Sequence, residues 1–344
     1  MKMILDPVPK TRELKVHNDL LGNRAALDEA WERDGYWFFR NVLDKDAVGR
    51  LRRVYVRELE KQGVIAPVGS APTDRSVRYN GASLDDFPPH MGPLNGSSAW
   101  QDFVAERPIH DFFAKVLDDE PHWVPIVEYR ATPPAADRQR TIVGIHQDGP
   151  MSAGIPFRIC WVPLAEIDAD IGGMIFAEGL TDRIHRAPAI DALGTKSFIP
   201  LEQLPADCWR HTTYQAGDLL MVHSWTPHSG IRNVSDRFRM SIDLRVIGSR
   251  EILPIIGDVA SIAVDRVEIR DVNGKVTALR IGPNTFVRNA GPDGVSEHSG
   301  EEILTAYPPG TPAVVGHDGK GLAMVIRPPA GIGSETPSLL YYGR

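Results

Sequence analysis

Thr141-Ile142-Val143-Gly144-Ile145-His146-Gln147-Asp148 is the stretch from which the rest of the chain is read. A β-branched, apolar run ends in a histidine and an aspartate two residues apart, and Gly149-Pro150 stops it. In a strand, residues i and i+2 project to one face, so this spacing predicts an imidazole and a carboxylate converging on one point. Neutral imidazole plus carboxylate suits a divalent transition metal, with room for one more imidazole. The pair alone says little. His17-Asn18-Asp19 has the same spacing with no strand before it, and is read as chance.

The partners lie about eighty residues on. Asp218-Leu219-Leu220-Met221-Val222-His223 reads as a strand, followed by Ser224-Trp225-Thr226-Pro227-His228-Ser229-Gly230 and a polar turn through Asn233, Ser235 and Asp236. Arg239 to Val246 then alternates strictly. Met240, Ile242, Leu244 and Val246 share one face; Arg239, Ser241, Asp243 and Arg245 share the other. An arginine opening the polar face of a strand can hold a carboxylate bidentately. His223, His228, His185 and His211 are all within reach as a third ligand.

These residues resemble the phytanoyl-CoA dioxygenase-like branch of the iron(II)/2-oxoglutarate oxygenases. In that branch an HxD pair, a distal histidine and an arginine eleven residues later recur in order, as His146-Gln147-Asp148, His228 and Arg239 do here. Cys160-Trp161-Val162-Pro163-Leu164, Gly172-Gly173-Met174 through Gly179, and Asp34-Gly35-Tyr36 extend the likeness over roughly residues 25 to 247. The resemblance implies a mainly β fold with flanking helices around a double-stranded β-helix (jelly-roll, cupin-like) core. It selects His228 over His223, which has no arginine at that spacing. It implies iron(II) on His146, Asp148 and His228, and the distal carboxylate of 2-oxoglutarate on Arg239. Where the family often carries a serine two residues past the distal histidine, this chain has Gly230. Ser241, two residues from Arg239 on the same face, is the preferred replacement over Ser229, with Trp161 as a further candidate in the cosubstrate pocket.

The activity implied is oxidation of a small-molecule C–H bond with O2, giving succinate and CO2. Related halogenases have Gly or Ala where this chain has Asp148, so the carboxylate favours hydroxylation, desaturation or cyclisation. The alternatives are a non-oxidative cupin-type metal enzyme and a silent binding module; Arg239 and two long loops favour the oxygenase. Fold alone does not select a substrate.

Composition narrows the remaining classes. The 344 residues are 42% hydrophobic with net charge −7, enough for a full core and without a basic footprint for nucleic acid. No apolar run approaches the roughly 18 residues of a membrane span. The first residues lack a signal-peptide stretch, and only Cys160 and Cys208 occur, so a reducing cytoplasm is expected.

The chain divides, on this reading, into an N-terminal arm (1–24), an oxygenase domain (25–250) and an extension (251–344). Asp44 is placed to cap a helix running to Gly63, and Pro108 to open another. Two segments have loop composition. The first, 67–98, holds Arg75, Arg78, Tyr79 and Asn80; the second, 182–208, is bounded by Trp209. Long loops in a compact domain are commonly binding loops or covers. One or both are expected over the mouth of the site with Arg75, Arg78, Tyr79 or Trp209 turned inward; otherwise substrate selection falls to the extension. In the extension, Asn273-Gly274 marks a hairpin, 285–309 reads as loop and 322–327 as a strand. It is expected to cup the core or to join a partner subunit in a homo-oligomer.

Overall fold

In the computed structural model the described residues are 8–67, 77–84, 87, 89–134, 144–181, 199–291, 294–298 and 301–330. The helices are α1 (Arg24–Asp34), α2 (Lys45–Lys61), α3 (Ala99–Ala105), α4 (Arg107–Leu117) and α5 (Glu302–Ala306). The strands up to the site are β1 (Arg12–Glu13), β2 (Tyr36–Phe39), β3 (Pro121–Trp123), β4 (Glu128–Thr132), β5 (Arg158–Pro163), β6 (Gly173–Ala177), β7 (Trp209–His211), β8 (Leu219–His223), β9 (His228–Ile231) and β10 (Arg239–Gly248). The extension carries β11 (Ile255–Ala263), β12 (Arg266–Arg270), β13 (Val276–Gly291), β14 (Gly294–His298), β15 (Pro312–His317) and β16 (Leu322–Arg327).

Strand β10 organises the larger sheet. It pairs antiparallel with β5 on one side and with β3 and β4 on the other, and the sheet continues from β5 through β8 to β2. The facing sheet runs β1-β7-β6-β9. This is the double-stranded β-helix with flanking helices expected from the sequence. All ten residues of β10 are buried. Its apolar face, Met240, Ile242, Leu244 and Val246, shares a core with Leu51, Tyr55 and Leu59 of α2 and with Phe113 of α4. Each such side chain contributes about 1.5–3 kcal/mol by leaving water. The polar face is thereby turned into the space between the sheets.

The helices that cover the outer face form where their ends are satisfied. Asp44 accepts from the Ala47 amide at 2.8 Å at the start of α2, and Pro108 lies in the first turn of α4. Helix α3 went unread in the sequence: at seven residues it is too short to show a periodic stripe, and Trp100, Phe103 and Val104 hold it in the core.

Other expectations are corrected. The strand expected before His146 is not seen from Gly144 onward; 141–143 lie outside the described residues. The strand after the 182–208 segment is β7, and Tyr214 makes an isolated bridge to Ile167. The stretch 285–309 is not loop but the continuation of β13, then β14 and α5. The hairpin around Asn273-Gly274 forms between β12 and β13, but its connection spans 271–275, longer than a two-residue turn.

The extension's sheet has the order β12-β11-β15-β16-β13-β14. One face encloses its own core of Val267, Ile269, Val287, Val315 and Ile326. The other face sends Ile256, Val314 and Val325 into the core of the β-helix. No helix among the described residues is long and apolar enough to cross a membrane.

Candidate metal centre

His146 and His228 are tied to each other through their backbones, His146 N–H to His228 O at 3.0 Å and the reverse at 2.9 Å. The bridge brings their rings to a centroid distance of 4.3 Å. In both residues Nδ1 faces a carbonyl two positions back: Gly144 O at 2.8 Å and Thr226 O at 2.9 Å. A carbonyl only accepts, so each Nδ1 carries the proton and each Nε2 keeps its lone pair, as metal-ligating histidines require. Asp148 reaches the same point by a different route from that expected. It is in helical conformation (φ −81°, ψ −18°) at the start of a 3-10 turn, Gly149–Ser152, so a turn and not strand alternation aims its carboxylate.

His146, Asp148 and His228 each offer a ligand atom, and these atoms lie within 4.8 Å of one another. His146 Nε2 stands 3.4 Å from Asp148 Oδ1. Donors about 2.1 Å from one ion at right angles would be about 3 Å apart, so the set needs only a small contraction to hold a divalent metal. Arg245 Nη2 lies 3.6 Å from Asp148 Oδ2 and favours the ionised carboxylate.

Gly149, next to Asp148, has no room for a side chain: a Cβ there would lie 2.4 Å from the Trp225 indole. Gly149→Ala is expected to destabilise the protein by about 1–3 kcal/mol through overpacking and to weaken metal binding by shifting Asp148. Unchanged melting temperature and metal affinity in that variant would contradict this account.

Arg239 lines the same cavity as the triad, with Trp161, Gly230, Met174 and Phe176; its empty volume is about 560 Å³ with the open mouth included. Arg239 Nη1 donates to Gly173 O at 3.0 Å and Ile231 O at 3.1 Å, and Nη2 to Thr132 Oγ1 at 3.1 Å. Among the described residues its buried Nε has no hydrogen-bond partner, and neither does the buried Ser241 Oγ on the same strand face. The Gly173 carbonyl is in place because Gly172 and Gly173 adopt φ +94° and +112°, with the Gly172 Cβ position only 2.6 Å from Ile231 O. Burial, with Arg130 adding repulsion, pushes the Arg239 guanidinium down to about 10, so it stays charged at neutral pH. A desolvated cation with an open donor edge fits a carboxylate ligand.

Asp243, on the same strand face as Arg239, pairs with Arg130 at 2.6 Å. Arg130 and Asp243 both line the cavity, and neither was singled out for it from the sequence. Strand alternation already put Asp243 and Arg245 on the face of Arg239; Arg130 had no comparable signal.

Of the substrate residues expected on the loops, Arg78, Tyr79 and Trp209 do not line the cavity. Arg75 lies outside the described residues, as does His185. Arg78 is exposed and pairs with Asp236 at 3.1 Å. Tyr79 packs edge-on against Phe238, 6.1 Å between centroids, and its hydroxyl donates to Ala82 O. Trp209 is buried on the wrong side: it pairs with Ala177, whereas Phe176 faces the cavity, so Trp209 points away into a cluster with Ile175, Leu204 and Cys208. His223 accepts from the Trp225 amide at 3.2 Å and sits edge-on to Trp31, and it does not line the cavity.

No family model matches the chain. Two curated relatives are 1-deoxypentalenic acid 11-beta-hydroxylases. The one from Streptomyces arenae is 25% identical over 251 residues, covering 66% of this chain and 82% of the relative. The one from Streptomyces exfoliatus is 24% identical over the same shares. Among solved structures, the epimerase SnoN in complex with Fe3+, alpha ketoglutarate and nogalamycin RO is similar at 20% identity and TM-score 0.43, covering 65% of this chain and 84% of that one. Two histidines and one carboxylate converging beside a buried arginine form a donor set that could hold one divalent metal ion. The triad and the buried arginine are the residues that the resemblance to the phytanoyl-CoA dioxygenase-like iron(II)/2-oxoglutarate oxygenases implies.

Proposed function

We propose that the protein hydroxylates a C–H bond of a small-molecule metabolite, holding iron(II) on His146, Asp148 and His228 and 2-oxoglutarate on Arg239, with Ser241 and Trp161 beside it and O2 as the second cosubstrate. The observation that carries this reading is the convergence of two imidazoles and a carboxylate in a cavity that Arg239 also lines, its Nε without a hydrogen-bond partner among the described residues. When bound, the iron with 2-oxoglutarate and O2 supplies the oxidising power for an unactivated C–H bond, with succinate and CO2 as coproducts.

The chain's own residues supply the rest. The two Nδ1–H bonds to carbonyls fix the imidazole rings and keep Nε2 basic. Arg245 holds the Asp148 carboxylate in place. Arg239 would take the distal carboxylate in a charge-assisted pair, with the Ser241 hydroxyl as a second donor. Ile159, Met174, Phe176 and Val222 give the cavity an apolar wall that keeps water from the reacting bond. The hydroxylase relatives support hydroxylation, and the carboxylate at 148 argues against halogenation at the same centre. We further read 1–24 as an arm, 25–250 as the catalytic domain and 251–344 as an extension, in a cytoplasmic enzyme whose partner is a metabolite and not nucleic acid.

The test is succinate formation from 2-oxoglutarate by purified protein reconstituted with iron(II) under air. Turnover is expected with iron(II), and its loss with a chelator or in His228→Ala. Succinate release no greater than in His228→Ala, across a broad panel of candidate substrates, would overturn the proposal.

A further inference from the structure

Asp243 stands on the site face of β10 between two residues already placed at the metal centre. Arg239 lies four residues before it, about 13 Å back along the strand, and Arg245 lies two residues after it. Arg245 in turn faces the Asp148 carboxylate at 3.6 Å. In the pairing with β4, Asp243 is opposite Glu128; in the pairing with β5 it is opposite Trp161. Asp243 and Trp161 both line the cavity that holds the triad.

The two oxygens of this carboxylate are not equivalent. Oδ2 accepts from Arg130 Nε at 2.6 Å. Oδ1 is buried and has no hydrogen-bond partner among the described residues. The Ser241 hydroxyl, two residues away on the same face, does not donate to it. Only 6% of Asp243 is exposed, so bulk water does not satisfy the second oxygen. A buried carboxylate oxygen without a donor destabilises the fold, and the like charge of Glu128 directly opposite adds to that. A structural role alone does not account for the arrangement, because apolar residues in place of a buried ion pair commonly serve as well or better.

2-Oxoglutarate does not complete the set. It is an anion with no O–H or N–H to give, and its expected place is at Arg239 and Ser241. The missing donor belongs to a further ligand in the same cavity, and the surroundings indicate its class. Among the described residues that line the cavity, Oδ1 is the one buried acceptor without a partner. A hydroxyl brings one donor hydrogen and matches it; an ammonium brings three and leaves two unmet. Ile159, Met174, Phe176 and Val222 offer those two nothing, and they suit a hydrocarbon body.

We propose that Asp243 reads the substrate: its Oδ1 accepts a hydrogen bond from a hydroxyl group of an otherwise apolar metabolite, and so sets which C–H bond meets the metal. The proposal rests on the oxygenase reading above and narrows its substrate to an alcohol.

The experiment uses the full chain loaded with nickel(II), which nitrogen and oxygen ligands also hold, together with 2-oxoglutarate. Cyclohexanol, methoxycyclohexane and cyclohexylammonium share one ring and differ in what they donate, and their affinities are read by calorimetry. Cyclohexanol should bind at least about tenfold tighter than methoxycyclohexane, because the ether leaves Oδ1 unpaired. It should also bind tighter than cyclohexylammonium. In Asp243→Asn the amide oxygen can stay on Arg130 while its NH2 replaces Oδ1, so the preference for alcohol over ether should fall to about twofold or less. Should that variant fail to fold, Arg130→Met combined with Asp243→Leu exchanges the whole pair for apolar side chains and should abolish the preference. A purely structural role would weaken all three ligands together and leave their ratios unchanged. Equal binding of alcohol and ether by wild type, no binding of cyclohexanol, tighter binding of cyclohexylammonium, or a preference that survives in the variants overturns the proposal. Failure of wild-type protein to bind 2-oxoglutarate before any alcohol is added would instead sink the oxygenase reading beneath it.

Discussion

Arg239→Ala is expected to weaken 2-oxoglutarate by about 2–5 kcal/mol, on the order of 30-fold or more, while metal affinity changes little. The size follows from burial: removing the guanidinium leaves a desolvated carboxylate without its counter-charge. The variant should also melt lower, because Gly173 O, Ile231 O and Thr132 Oγ1 all bond to this side chain. Each buried acceptor left unpaired costs about 1–3 kcal/mol. Arg239→Lys should recover only part of both losses, since an ammonium cannot serve three acceptors on separate strands and a carboxylate together. Calorimetric titration with 2-oxoglutarate decides the matter; equal affinity in wild type and the alanine variant would remove Arg239 from the site.

Removing one ligand should have the largest effect on the metal. Loss of an outer partner of a ligand typically costs 10–100-fold in metal affinity, so His228→Ala or Asp148→Ala should cost more than about 100-fold and abolish succinate formation. The folded structure should survive in His228→Ala, because the bridge to His146 is made by backbone atoms. Asp148→Asn is a sharper probe. It keeps the shape at the turn, removes the charge that faces Arg245, and should lose iron without loss of helical or sheet content by circular dichroism. Iron bound at wild-type affinity in either Asp148 variant would exclude the triad.

Much of this was legible in the chain because the informative parts have a short period. The alternation from Arg239 to Val246 depends only on local geometry, and it separated the buried apolar face from the site face correctly. The Asp44 cap and the Asn273-Gly274 turn are likewise local. His146 and Asp148 were located from their spacing, yet the reason was wrong in part: a turn, not a strand, aims the carboxylate. Trp209 shows where local reading stops. Whether an aromatic on a three-residue strand points in or out depends on its register with β6, and nothing within β7 encodes that register. Arg130 escaped for the same reason, since its site role exists only through the pairing of β4 with β10.

The hold of Arg239 on Gly173 and Ile231 has one more consequence. This one side chain, rooted in the larger sheet, is stitched to two strands of the smaller one. A descendant that gave up oxidation would still need the stitch to keep its sheets together. Retention of the arginine in such a lineage would therefore report on architecture, not on chemistry. The Ser241 hydroxyl has no hydrogen-bond partner among the described residues and would be free to drift, which makes it the better marker of a working ancestor.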